Sequence, residues 1–246
     1  MRAILTNGFR VRRLALGERN SYLRCLRWVT ADWDDADWKI NFQNPFEFPR
    51  RSGSIDLIYS AHMLEHLKDA SVSHLLRECR RILSPNGIIR LTCPNAEAII
   101  QAYRNEESSF LDDMVIEETK YFSRHKPDQP EFGTKHVTFL GMLSNHIQDS
   151  KHTPVVADRK TIDVNVGALS VDEFCQWAVS LQTTSQTMTG GHVNGWYPEK
   201  LCKFLEEAGF TRIALKQAKS SEVWNFEKLE YSDSRNNYSF FVEACP

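Results

Sequence analysis

Apolar residues in the first third of the chain gather in short continuous runs, separated by polar turns and one stretch of helical spacing. Val11–Leu16 (VRRLAL), closed by Gly17, predicts a strand, and Trp28–Ala31 (WVTA), closed by Asp32, predicts a second. Ile55–Ser60 (IDLIYS) is almost unbroken, the pattern of a parallel strand covered on both faces. Val72, Leu75, Leu76, Cys79 and Leu83 then recur at three- and four-residue spacing, which gives a helix one apolar face. Pro85-Asn86-Gly87 breaks that helix, and Gly87–Cys93 (GIIRLTC) is the next strand, stopped by Pro94. Two strands joined by a helical crossover make a βαβ unit and predict a parallel sheet.

The pattern weakens between Asn105 and Gly191. A helix is expected around His136–His146, and another from Ser170, where Glu173 completes a capping box. This region, 105–191, reads as an insertion in a single domain spanning 1–246, a lid or substrate wall over the sheet's C-terminal edge. Order returns with a helix over Pro198–Ala208, with Pro198 in its first turn and Gly209 just past its end. Arg212–Lys216 and Ser239–Ala244 are strands that suit an antiparallel sheet edge. The fold class expected is α/β, a mostly parallel sheet with helices on both faces.

Composition narrows the partners. A chain of 246 residues buries enough apolar surface to need no staples. The formal net charge is -2 and no long Lys/Arg run occurs, which argues against nucleic acid as the main partner. No signal-like leader or membrane-length apolar stretch is present, so the expected location is the cytoplasm. The six cysteines form no C-x-x-C pair and read as free thiols, with Cys93 singled out by its place at a strand end.

The sharpest signal runs from Ser54 to Asn95: SIDLIYSAHMLEHL, then LLRECRRILSPNGIIRLTCPN. It resembles the small class I S-adenosylmethionine-dependent methyltransferases grouped as type 11, through Asp56, Ser60, His62, Leu64, Glu65, His66, Leu67, Leu83, Pro85, Gly87, Arg90, Leu91 and Pro94. GWYPEKLCKFLEEAGF and YSFFVEA resemble the same group's late helix and last strand. The resemblance implies a Rossmann-like fold with S-adenosylmethionine as cofactor, bound outside the C-terminal strand ends where strand order reverses. At those ends stand Gly17, Asp32, Asn41, Ser60 and Cys93-Pro94. Asp32 is either the acceptor of two ribose hydroxyls or one more solvated aspartate of DWDDAD. Asn41 and Phe42 fall where the resemblance places the adenine contacts, with Phe42 or Trp33 covering the ring; a turn Asn beside core aromatics is the other reading. Ser60 and His62 would flank the pocket floor.

One loop departs from the pattern. The chain reads LALGERN, so Arg19 stands where a second glycine belongs. Arg19 pairs with the cofactor carboxylate and Glu18 with its ammonium group, or Arg19 fills the site and leaves a non-catalytic binding or scaffold protein. His62-Met-Leu-Glu65-His66 also spells H-x-x-E-H, a zinc motif when helical. No third ligand is evident, so no metal is assigned, and Glu65 and His66 read as braces of a helix beside the pocket. His136 and His192 are the candidate general bases, since neutral imidazole takes a proton from a hydroxyl near neutral pH. Trp196 and Tyr197 form a sugar-stacking wall or pack in the core. The acceptor expected is an oxygen or nitrogen of a small molecule or sugar, with polysaccharide assembly as the setting by analogy.

Overall fold

Buried aliphatic runs become strands in the order the pattern requires. Arg13–Leu16 (β1), Trp28–Asp32 (β2), Trp38–Lys39 (β3) and Ile55–Ala61 (β4) lead through a 3₁₀ turn at Leu64–His66 and helix Asp69–Ile82 (α1) into Leu83–Pro94 (β5). Helices Ala96–Arg104 (α2), Lys135–Ser144 (α3), Arg159–Ala168 (α4), Val171–Ser180 (α5) and Pro198–Glu207 (α6) precede Arg212–Lys216 (β6) and Ser239–Cys245 (β7). The computed structural model describes residues 12–17, 26–107, 109–113, 135–144, 157–181, 191–221, 223, 226 and 237–246, with side chains at 135–138 and 144 excepted.

The strands form one seven-stranded sheet of order β3-β2-β1-β4-β5-β7-β6. β1 pairs in parallel with β2 and with β4, and β2 with β3 and β4 with β5 do the same. β6 and β7 are antiparallel. This is the expected Rossmann-like α/β sheet, and its chain order reverses between β1 and β4.

Two details differ from the sequence reading. β3 has only two residues, too few to leave a periodic trace; the Asp37 carboxylate accepts from Thr30 N (2.9 Å) and Thr30 Oγ1 (3.1 Å), closing the turn that precedes it. Pro85-Asn86-Gly87 does not separate α1 from the next strand. β5 starts at Leu83, opposite Ile55, and the pairing resumes with Leu57 opposite Ile88. The turn residues bulge out between these pairs, so the strand absorbs them. Gly87 leaves little room there: a Cβ would lie 2.6 Å from Leu83 Cδ2 and 3.0 Å from Ser84 O.

The described chain divides into two compact units. The first comprises 1–93, 198–232 and 240–246. Its sheet carries Ala15, Trp28, Leu57 and Tyr59 in one buried cluster with Val223 and Phe226. α1 buries Val72, Leu75, Leu76, Cys79 and Ile82, and each fully buried aliphatic side chain of this kind contributes about 1.5–3 kcal/mol. From the same helix Arg81 holds Glu78 at 2.7 and 2.8 Å and donates to the carbonyls of Phe48 and Arg50, while Glu78 accepts from Phe48 N. These bonds pin the loop after β3. On β5, Arg90 is wholly buried and meets Glu243 of β7 at 2.9 Å, donates to the carbonyls of Gln217 and Ser220, and lies over the Phe241 ring.

The second unit comprises 94–197 and 233–239. Asn95 caps α2 by accepting from Ala98 N, and Asp158 caps α4 by accepting from Thr161 N. Ser170 and Glu173 form the full capping box of α5 that the sequence predicts. Phe139 stacks on Tyr103 at 4.0 Å and packs against Phe174 in a core shared by α2, α3, α4 and α5.

Candidate active site

The site is assembled by strand register. Leu16 sits beside Ala31 on one side and Ser60 on the other. The next residue, Gly17, therefore falls between Asp32 and Ala61, with neighbouring strands about 4.8 Å apart. Gly17 N donates to Ala31 O at 2.9 Å, and Gly17 holds φ +72. Only glycine adopts that conformation without cost, and a Cβ would stand 2.7 Å from Met63 Cγ. The Met63 side chain closes over this point.

Of the residues proposed from the sequence, Gly17, Asp32 and Ser60 thus share one rim at the reversal of strand order. Asp32 Oδ1 accepts from Trp33 N at 2.6 Å, which fixes the carboxylate at the end of β2. The Trp33 ring is 63% exposed. Phe42 is buried and meets Phe46 and Phe48 edge-on, so it packs as a core ring. Asn41 Oδ1 accepts from Gln43 N at 3.0 Å, and Gln43 Nε2 donates to His66 O at 2.6 Å, linking the Asn41 turn to the end of β4. Glu18 and Arg19 lie outside the described residues.

The end of β4 removes the geometry that the H-x-x-E-H zinc motif would need, and puts Glu65 and His66 on a 3₁₀ turn ahead of α1. His62 and His66 do not share the face of an α-helix. β4 continues to Ala61, His62 turns the chain at φ +49, and the 3₁₀ turn follows. A non-glycine residue in that region is uncommon and strained. Its backbone N donates to Thr92 O at 3.0 Å, and its Nδ1 lies 3.2 Å from Glu65 Oε1, both side chains buried. Cys93, on the adjacent strand, is a buried thiol whose pKa is pushed up by burial first and by the Glu65 charge second. That makes it an inert core residue. Cys79, Cys93, Cys175, Cys202 and Cys245 are all free, as expected for thiols.

One feature of the rim suits a polar ligand: the Ser60 hydroxyl is buried with no hydrogen-bond partner among the described residues. Buried hydroxyls are rarely left so. Thr92 Oγ1, which sequence reading missed, is buried in the same condition on β5, where Thr92 pairs with Ala61. Its only signal in the sequence is a polar residue inside an apolar run.

In the second unit, His192 Nδ1 lies 2.8 Å from Met142 O. His136 belongs to α3, and its side chain is outside the described residues. Trp196 is 1% exposed, so it is a core ring and not a sugar-stacking wall, while Tyr197 OH donates to Asp172 Oδ2 at 3.0 Å. Burial and that carboxylate push the Tyr197 hydroxyl up to about 12. Among the described residues no helix is long and apolar enough to cross a membrane.

Residues 29–91 match the family described as "Methyltransferase domain". No curated protein matches the chain. Solved structures similar to it include a S-adenosylmethionine-dependent methyltransferase from Mesorhizobium loti, 12% identical, covering 96% of this chain and 91% of that one with a TM-score of 0.46. Another, from Archaeoglobus fulgidus, is 12% identical over 96% and 86% of the two chains, with a TM-score of 0.45. The family match runs from β2 into β5 and takes in Asp32 and Ser60, while Gly17 lies outside it. Residues 29–91 are thus similar to the methyltransferase domain family, on the part of the chain that runs from β2 into β5.

Proposed function

We propose that the chain methylates an oxygen or nitrogen of a small polar acceptor, a carbohydrate being the first class to test. The observation that carries the methyl-transfer reading is the rim formed by Gly17, Asp32 and Ser60 at the strand-order reversal. S-adenosylmethionine, when bound, supplies a methyl group already activated on a sulfonium, so the protein's task is alignment. In this reading the Asp32 carboxylate accepts from the ribose hydroxyls, and Trp33 covers the adenine face. Asn41 addresses the adenine edge, with Phe42 supporting the turn from beneath. Ser60 and His62 form the floor, and Glu18 and Arg19 address the amino-acid end.

His192 is the proposed base. The Met142 carbonyl can only accept, so His192 Nδ1 carries the proton and the lone pair of the neutral ring is on Nε2. A proton leaves the acceptor hydroxyl for that nitrogen as the methyl arrives. His136 is kept as the alternative base. Insertion 105–191 is assigned to acceptor choice, and the carbohydrate class rests on analogy with relatives in glycan assembly. The non-catalytic alternative rests on Arg19 alone.

The test is a titration with S-adenosylmethionine and S-adenosylhomocysteine, followed by heat and by melting. Ligand at a hundred times its Kd stabilises the fold by about 2.7 kcal/mol. Asp32→Ala removes charged hydrogen bonds worth about 1.5–3 kcal/mol, so Kd rises about tenfold or more. An unchanged Kd removes Asp32 from the site, and no response to either compound at millimolar concentration leaves only the scaffold. Transfer of a labelled methyl group across a panel of sugars, amines and phenols then identifies the acceptor.

A further inference from the structure

Met63 fills the space above the Gly17 backbone. Gly17 holds φ +72, and a Cβ built on it would stand 2.7 Å from Met63 Cγ, 2.8 Å from Met63 Cβ and 2.9 Å from Met63 Sδ. Three successive atoms of one side chain therefore lie against the glycine, and no second group fits between them. Met63 is 7% exposed, so the contact is enclosed. The backbone on either side is anchored: His62 N donates to Thr92 O at 3.0 Å, and Met63 O accepts from His66 N at 3.1 Å. Freedom is left to the side chain, an unbranched thioether with three rotatable bonds. Beside it, Ser60 pairs with Leu16, the residue before Gly17, and its buried hydroxyl has no partner among the described residues. One point of the rim thus calls for a polar partner, and the neighbouring point is covered by a side chain that can turn away.

We propose that the Met63 side chain gates the rim: it lies closed on Gly17, and it swings aside to admit the amino-acid end of S-adenosylmethionine. The ligand rests on the methyl-transfer reading; the closed contact does not. Side chain and cofactor then compete for one patch of backbone, so affinity depends on the fraction of molecules with Met63 turned away. An open fraction of about one tenth weakens binding about tenfold. Methionine suits a gate, because β-branched chains are held to few χ1 rotamers and alanine would leave the glycine uncovered. The gate leaves the nucleoside end free, since Asp32 ends β2 and Trp33 follows it, on the far side of β1 from β4.

The full chain and Met63→Ala are titrated by calorimetry with S-adenosylhomocysteine and with 5′-methylthioadenosine, which has the nucleoside and the thioether but no amino-acid end. Met63→Ala is expected to bind S-adenosylhomocysteine about tenfold more tightly, although its cavity makes the variant less stable. Its affinity for methylthioadenosine is expected to stay within about twofold of the parent. A side chain with only a packing role predicts the reverse, weaker binding of both ligands along with the lost stability. Should Met63→Ala not fold, the parent chain carries the test by nuclear magnetic resonance. The Overhauser effect between the Gly17 α-protons and the Met63 side chain is expected without ligand and is expected to vanish as S-adenosylhomocysteine saturates. An unchanged or raised Kd in Met63→Ala, or an Overhauser effect that persists in the bound chain, overturns the gate. Binding with Met63 still on Gly17 sinks the gate alone, whereas no binding by either chain sinks the methyltransferase reading and the gate with it.

Discussion

Replacing Gly17 by alanine tests the rim where Met63 closes over it. Two costs add. The residue holds φ +72, and left-handed backbone costs a side chain roughly 1–2 kcal/mol. The new Cβ would also stand 2.7 Å from Met63 Cγ, 2.8 Å from its Cβ and 2.9 Å from its Sδ. Overpacking of this kind costs about 1–3 kcal/mol, and the flexible thioether keeps it toward the low end. The sum is about 3 kcal/mol out of a total stability of about 5–15 kcal/mol, or about 6–12 °C in Tm. Urea and thermal unfolding of Gly17→Ala measure it, without ligand and with S-adenosylhomocysteine. Met63→Ala separates the two costs. Alone it leaves a cavity worth about 2–5 kcal/mol, but in the Gly17→Ala background it removes the collision, so the pair couples favourably by about 1–3 kcal/mol. A Gly17→Ala protein within about 0.5 kcal/mol of the parent, or a cycle without coupling, refutes the steric account.

Arg90→Met leaves the Glu243 carboxylate with only the Ser221 hydroxyl and a Lys216 ammonium 3.9 Å away, and is expected to cost about 3 kcal/mol by denaturant unfolding, the low end for a broken buried pair. The double variant Arg90→Met/Glu243→Met recovers most of it, and an additive loss would show that the pair is not the reason. Glu78 is held below its usual range, first by the hydrogen bond from Arg81, against a smaller opposing effect of burial. A depressed carboxylate contributes stability above its unfolded pKa and loses it as pH falls through the folded value. The parent should therefore exceed Glu78→Gln by about 1–2 kcal/mol at neutral pH, with the gap closing only below the ordinary glutamate pKa. A gap that persists in acid would assign the effect to packing.

Much of the sheet was legible because its strands announce themselves by continuous burial. Ile55–Ala61 is buried at every position but Asp56, and the Ser170–Glu173 cap is readable from two letters. Other elements were hidden for physical reasons. α4 buries only Ile162 and Val166, too few for a clear stripe. α2 did carry a signal, Asn95 as its cap and Ile99, Ile100 and Ala102 as its apolar face, which went unread. Pro85-Asn86-Gly87 has the chemistry of a break, and nothing local reveals that a strand will carry it as a bulge. The rim residues at strand ends followed from topology. The conformation of His62 did not, since a histidine with positive φ looks like any other in a sequence. Nor does any local pattern tell that Met63 closes over Gly17.

The seat of β7 has a consequence for how the protein is made. Six strands leave the ribosome before it, yet it lies between β5 and β6, not at a margin. Until residues 239–245 emerge, β5 keeps one side bare of partners and β6 has no ladder to join. A nascent chain paused anywhere short of that point offers a long, largely apolar edge to other chains, a hazard that chaperones exist to contain. Fragments ending upstream of Ser239 should inherit that edge for good.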